Sequence, residues 1–141
     1  MNANGVTKLQ GWGLTILRVV VGIVFFVHGG QKLFIYGFSG VAGFMGRLGI
    51  PAPMLSAVVV TAVEFLGGAA LVLGVVTRWA AILLALNMLG AILTVHLKAG
   101  FFLPHGYEFA LTLLAATVAL GLAGPGEAAI DTALAIRQAR G

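Results

Sequence analysis

The chain has no cysteine and only four prolines. Without cysteine there is no disulfide framework, no cysteine-ligated iron–sulfur cluster, no covalently attached haem and no thiol nucleophile. Charge is scarce too: eight Lys/Arg and four Asp/Glu make up 9% of 141 residues. A soluble domain carries about 25% charged residues, so this chain cannot solvate the surface of a globule. The net charge of +4 comes from a shortage of carboxylates, since the cations are scattered. With no Lys/Arg run, no Gly-x-Gly-x-x-Gly loop and no P-loop, nucleic acid is excluded as a partner. What is present is apolar: 60% hydrophobic residues and a mean hydropathy of +1.09. The chain is an integral membrane protein and its first partner is the lipid bilayer.

A helix needs about 20 residues to cross the hydrocarbon. Four segments qualify, at about 12–34, 54–76, 79–97 and 107–123. Pro51-Ala52-Pro53 opens the second, Lys98-Ala99-Gly100 closes the third and Gly124-Pro125-Gly126 closes the fourth. Thr77-Arg78 alone separates the second from the third, a tight antiparallel hairpin. In lipid each backbone amide must be satisfied within its segment, so these are helices. The expectation is an all-α, four-helix membrane bundle forming one domain over 1–141. Arg18 interrupts the first apolar run and no Ala-x-Ala site follows it, so that run is read as a retained span and not a cleaved leader. Residues 38–50 place Phe38, Val41, Met45 and Leu48 at helical spacing, with Ser39 as a cap and Gly49-Ile50-Pro51 as a stop. This predicts a short interfacial or re-entrant segment. The tail, 127–141, carries Ala129, Ala133, Leu134 and Ile136 among mixed charges and reads as an amphipathic helix at the membrane surface. Lys8, Arg18, Arg78, Arg137 and Arg140 fall at one end of the bundle, and Lys32, Arg47 and Lys98 at the other. That excess places both termini in the cytoplasm. Trp12 and Trp79 at one interface, and Tyr36 and Tyr107 at the other, fit an aromatic belt.

An ionisable residue inside a span costs about 2.5–3.5 kcal/mol on insertion scales and is a functional-site hypothesis by default. Helical geometry at about 100° per residue groups Arg18, Gly22, His28 and Lys32 on one face of the first span. It groups Thr61, Glu64 and Gly68 on the second, Asn87, Gly90 and Thr94 on the third, and Glu108, Thr112, Ala115 and Ala119 on the fourth. Each span thus has one small, polar face, as expected if these faces turn inward and apolar faces meet lipid. His96 lies nearly opposite Asn87 and joins that face only if the helix end unwinds. Glu64 sits at mid-span, where a carboxylate must be paired or protonated. Arg18 is its expected ion-pair partner and His28 the competitor. Lys32, Arg78 and Lys98 read as interface anchors. Glu64 and His28 are the candidate proton-relay residues; Arg18, Gln31, Lys32, Asn87, His96 and Glu108 are candidate ligand-binding residues. No metal site is expected.

Arg18, Gly29-Gly30-Gln31-Lys32-Leu33-Phe34, Gly49-Ile50-Pro51-Ala52-Pro53, Glu64 with Gly67-Gly68, Leu73-Gly74-Val75-Val76-Thr77-Arg78, Thr94-Val95-His96, Gly100-Phe101-Phe102 and Gly106-Tyr107-Glu108 occur in an order that resembles the DoxX family over about residues 12–125. The resemblance implies a four-helix, multi-pass protein of the bacterial inner membrane. Relatives of this kind include small membrane subunits of a thiosulfate:quinone oxidoreductase and proteins thought to couple soluble redox partners to the membrane. The leading expectation is therefore a membrane subunit of a quinone-linked redox or stress-response complex. It would bind a small lipid-soluble ligand, a quinone being the one cofactor expected, with no electron-carrying centre of its own. A soluble oxidoreductase partner would deliver electrons, and homo-oligomers fit the same picture. The alternatives are a non-catalytic scaffold or anchor for a soluble partner, b-haem ligation by His28 and His96, and a small transporter.

Overall fold

The computed structural model describes residues 3–139; Arg140, counted above toward orientation, lies outside them. The chain runs through α1 (Ala3–Gln31), a π-helical turn (Lys32–Tyr36) and α2 (Gly37–Arg47), then α3 (Pro53–Leu73) and α4 (Thr77–Ala91). A second π turn (Ile92–His96) and a single 3-10 turn (Leu97–Ala99) extend α4, and α5 (Glu108–Ala123) and α6 (Ile130–Gln138) complete it. Three helical stretches, Thr7–Arg47, Pro53–Leu73 and Thr77–Ala99, are long and apolar enough to cross a membrane. The fourth, α5, is apolar but has 16 residues, about 24 Å at 1.5 Å per residue. Together they form the expected all-α membrane bundle. The first helix begins well before residue 12, because hydropathy marks where a helix meets lipid and not where its backbone starts.

The closest packing is between α1 and α3. A Cβ on Gly68 would lie 2.3 Å from the Phe26 nitrogen, and one on Gly29 2.4 Å from the Phe65 nitrogen. Only hydrogen fits there, so the two backbones touch, as small residues allow in lipid where no hydrophobic force pulls helices together. Phe26 and Phe65 stack beside the contact, with ring centroids 4.6 Å apart. The main apolar core, including Val21, Phe25, Leu71, Leu84 and Leu120, fills the bundle toward the chain termini.

The α3–α4 connection differs from expectation. Thr77 and Arg78 are the first residues of α4, and the link is Gly74–Val76. Gly74 adopts φ +70° and the Val75 amide reaches the Ala70 carbonyl at 3.0 Å. This is the glycine-ended, doubly back-bonded helix terminus. Val76 also has a left-handed φ of +44°, held because Asp131 accepts the Val76 and Thr77 amides at 2.9 and 2.8 Å. The tail thus caps α4 from outside it. Arg18 completes this end. It is 1% exposed and donates to the carbonyls of Leu71, Val72 and Ala128. Its cation meets the negative end of the α3 dipole and neither snorkels to the headgroups nor pairs with Glu64.

α2 confirms the helical reading of 38–50. Val41, Ala42 and Met45 are buried against Ala57 of α3, and Gly49 at φ +74° follows the helix end. Ser39 does not cap it, because the helix continues out of the preceding π turn. The face expected to turn inward on the fourth span is not the buried one. On α5, Ala110, Leu113, Thr117 and Leu120 are buried, whereas Thr112, Ala115 and Ala119 point outward. Leu113 and Leu120 join the main apolar core together with Leu84, Met88 and the small Ala80 and Ala81 of α4. Thr112 tolerates the outside because its hydroxyl donates to the Glu108 carbonyl at 2.9 Å. In the tail, α6 presents Ile130, Leu134 and Ile136 to the exterior.

Two predictions follow from this packing. Gly68→Val should destabilise the bundle by about 1–3 kcal/mol or more, the cost of overpacking a tight contact. Gly90→Ala, whose Cβ meets nothing within 4 Å, should be neutral or slightly stabilising. Denaturation in mixed micelles measures both. Asp131 also predicts a pH dependence. Partial burial works to raise its pKa, but the amides of Thr77 and Val76 and the Arg18 charge outweigh it and hold the carboxyl below its ordinary value. Its stabilisation is therefore complete above the ordinary carboxylate range of about 3.9 and is lost as pH falls through the lower folded value. The gap in thermal stability between wild type and Asp131→Ala should be constant near neutrality and close on acidification below about pH 4.

Candidate functional site

Away from the termini the bundle opens into a cavity of about 530 Å³, within the range of small-molecule pockets. α1 supplies Phe25 and His28, the π turn after it supplies Lys32, and α2 closes one side with Val41, Phe44 and Met45. α3 supplies Ser56, Val60 and Glu64; α4 and its π turn supply Asn87, Thr94 and His96; α5 adds Phe109, Ala110 and Leu113. The walls are mostly apolar, and the polar groups converge from different helices.

Glu64 anchors them. It lies on the inner face of α3 at mid-helix and is 4% exposed. Lys32 forms a salt bridge with its Oε2, and Asn87 donates through Nδ2 to its Oε1 at 2.9 Å. Three helices therefore meet at one carboxylate. The expected pairs with Arg18 or His28 do not form. Arg18 is engaged at the terminal end, while Lys32, read as an interface anchor, turns into the bundle. The reason is local geometry. The π turn starts at Lys32 itself, and the glycine contact brings α1 against α3 just below it, so the lysine amine reaches the carboxylate.

The two histidines share one arrangement. Nδ1 of His28 lies 2.8 Å from the Val24 carbonyl, and Nδ1 of His96 lies 3.0 Å from the His105 carbonyl. A carbonyl only accepts, so in the neutral ring the proton sits on Nδ1 and Nε2 is left as a lone-pair nitrogen. His96 reaches the cavity because the helix end does unwind. The wider π turn over Ile92–His96 carries more residues per turn and rotates His96 toward the Asn87 side. Such π turns within α-helices recur at functional sites.

Of the eight candidates, the structure brings Glu64, His28, Lys32, Asn87 and His96 to one cavity. Arg18 lies at the opposite end. Gln31 is exposed and does not line the cavity. Glu108 accepts the Leu103 amide at 2.7 Å and so fastens the loop over the cavity instead of lining it. The sequence pattern does not point to Phe44 or Ser56, and marks Met45 only as part of the helical spacing over 38–50. The three-and-four spacing of the α2 residues gave their helix, but no periodicity says which chamber a short helix roofs.

Comparison with known proteins agrees with this architecture. The family model described as DoxX matches residues 13–97, the stretch that carries the Glu64 cluster and both π turns. A Bacillus subtilis protein named "Putative oxidoreductase CatD" is 41% identical over 119 residues, 84% of this chain and 84% of its own. "Uncharacterized membrane protein Rv3486" of Mycobacterium tuberculosis is 34% identical, over 86% of this chain and 80% of its own. "Inner membrane protein YphA" of Escherichia coli is 30% identical, over 84% and 87% respectively. No solved structure matches.

Removing one member of a buried ion pair costs about 3–5 kcal/mol because the other charge is left uncompensated. Glu64→Leu should therefore lower thermal stability in lipid nanodiscs markedly. Adding Lys32→Met to it should recover more than half of the loss, the signature of a direct pair.

Proposed function

Since this chain belongs to the DoxX family, we propose that it is a membrane subunit of an inner-membrane redox complex that holds a quinone-like, lipid-soluble ligand in the cavity around Glu64. One observation carries this: a mostly apolar chamber inside a membrane bundle into which a lysine, an asparagine and two histidines converge. Inner-membrane placement is supported by the name of the Escherichia coli relative, and redox work by that of the Bacillus subtilis relative.

The chemistry of the donor set fits a quinone head group. Its carbonyls need donors, and Lys32 and Asn87 each have N–H groups beyond the one given to Glu64. Its ring needs apolar contact, which Phe25, Val60 and Leu113 offer. A bound quinone supplies a two-electron, two-proton couple. The protein's part is to orient the head group, exclude water and hold protons. Glu64 fixes Lys32 and Asn87 in place, and the Nε2 atoms of His28 and His96 are positions that can take up or return a proton. The chain offers no cysteine to ligate a cluster, so a soluble oxidoreductase partner is the source or sink of electrons in this proposal.

Binding of a short-tailed quinone analogue to the purified protein, followed by calorimetry, tests it. Wild type should bind saturably. A hydrogen bond involving a charged group is worth about 1.5–3 kcal/mol, so Lys32→Met should weaken binding by about tenfold or more, and Asn87→Ala and His28→Ala by less. Absence of saturable binding, or binding indifferent to all three substitutions, would reject the proposal.

A further inference from the structure

Several residues of the cavity wall are exposed, and we take these as its rim. They form three groups: His28 and Phe109 between α1 and α5, Leu103 and Pro104 at the end, and Phe44, Gly90 and Thr94 between α2 and α4. The first two gaps are bridged. His28 and Phe109 stand ring to ring with centroids 6.3 Å apart. The end is covered by the 100–107 loop, which the Tyr107 amide to Gly100, the Glu108 amide to Phe101 and the Glu108 carboxylate tie down. The third gap is open. α2 packs on α3, and α4 packs on α3 and α5, but α2 and α4 share no extensive packing. At Gly90 a Cβ would meet nothing within 4 Å. The Gly90 carbonyl beside this opening is already satisfied by the Thr94 hydroxyl at 2.8 Å, so the rim presents little unmet polarity to an apolar chain.

We infer that the gap between α2 and α4 is a lateral portal to the hydrocarbon, and that the ligand is a tailed amphiphile. Its head group sits at the Lys32–Glu64–Asn87 cluster and its isoprenoid or acyl tail leaves between Phe44 and Gly90. This rests on the quinone-like reading of the cavity and adds where the tail goes. Volume supports it. About 530 Å³ accommodates a drug-sized molecule, so a long isoprenoid tail cannot be enclosed and must exit at membrane depth. The gap lies between α2, the last part of the stretch Thr7–Arg47, and α4, the first part of Thr77–Ala99, and both stretches are apolar enough to span a membrane, which suits an apolar tail.

The test uses the full chain in nanodiscs and two quinones with the same head group, one short-tailed and one long-tailed. Both should bind wild type. Gly90→Trp should lower the ratio of long-tailed to short-tailed affinity by about tenfold, equivalent to 1.4 kcal/mol, whereas Leu111→Trp, on the exposed face of α5 and outside the cavity lining, should leave that ratio unchanged. Because the chain has no other thiols, a Phe44→Cys/Gly90→Cys variant joined by a cleavable bis-maleimide provides a second arm. Closing the link should reproduce the selective loss, and cleaving it should restore long-tailed binding. An unchanged ratio in both arms, or a ratio lowered as much by Leu111→Trp, overturns the portal while short-tailed binding to wild type still upholds the site. If neither quinone binds wild type, the site assignment itself falls.

Discussion

A carboxylate at the middle of a membrane helix is the constraint on which this structure turns. Glu64 cannot remain charged in hydrocarbon without partners, and those partners must come from other helices, because its own helix offers no cation. Lys32 reaches it from the π turn that ends α1, and Asn87 from α4. Satisfying one oxygen from each side fixes the lateral order of three helices. It also leaves N–H groups of the lysine and amide free at the wall of a chamber. A purely apolar interior would not need this arrangement, so its presence in a chain of twelve charges is itself an argument for a binding role.

Reaching Glu64 depends on features that carry no charge. The backbones of α1 and α3 meet at Gly29 and Gly68, and this close approach brings Lys32 within range. The π turn that begins at Lys32 then widens the helix as it leaves the contact. A second π turn on α4 does the same for His96. The two ends of the bundle are therefore built differently. Near the termini, Arg18 and Asp131 tie helix ends to the tail through backbone carbonyls and amides, and the core is filled with Leu, Val and Phe. At the far end the helices loosen, α2 lies across the opening and a cavity remains. A fixed base with an open upper half positions donors from several helices while leaving space among them.

The membrane class, the helix count and the singular status of Glu64 were legible in the composition and spacing, because hydropathy and the 3.6-residue period act within one segment at a time. The helix over 38–50 was legible for the same reason. The partner of Glu64 was not. Arg18, His28 and Lys32 share one face of α1, and periodicity cannot say which of three cations along that face lies at the height of a carboxylate on another helix. That height is set by where the glycines let the helices touch. The outward turn of Thr112, Ala115 and Ala119 was equally hidden, since which face of α5 is buried depends on how it packs against α4.

The sequence alone determined that this chain lives in lipid as apolar helices, and that one acidic residue among them must be compensated. Both conclusions come from the cost of placing a charge or an unpaired amide in hydrocarbon, which each segment bears by itself. Only the tertiary structure decided that Lys32 and Asn87 are the compensators, that Arg18 closes helix ends, and that His96 joins the cavity. Those outcomes depend on relative helix height and rotation, and these are fixed by contacts between segments distant in the chain.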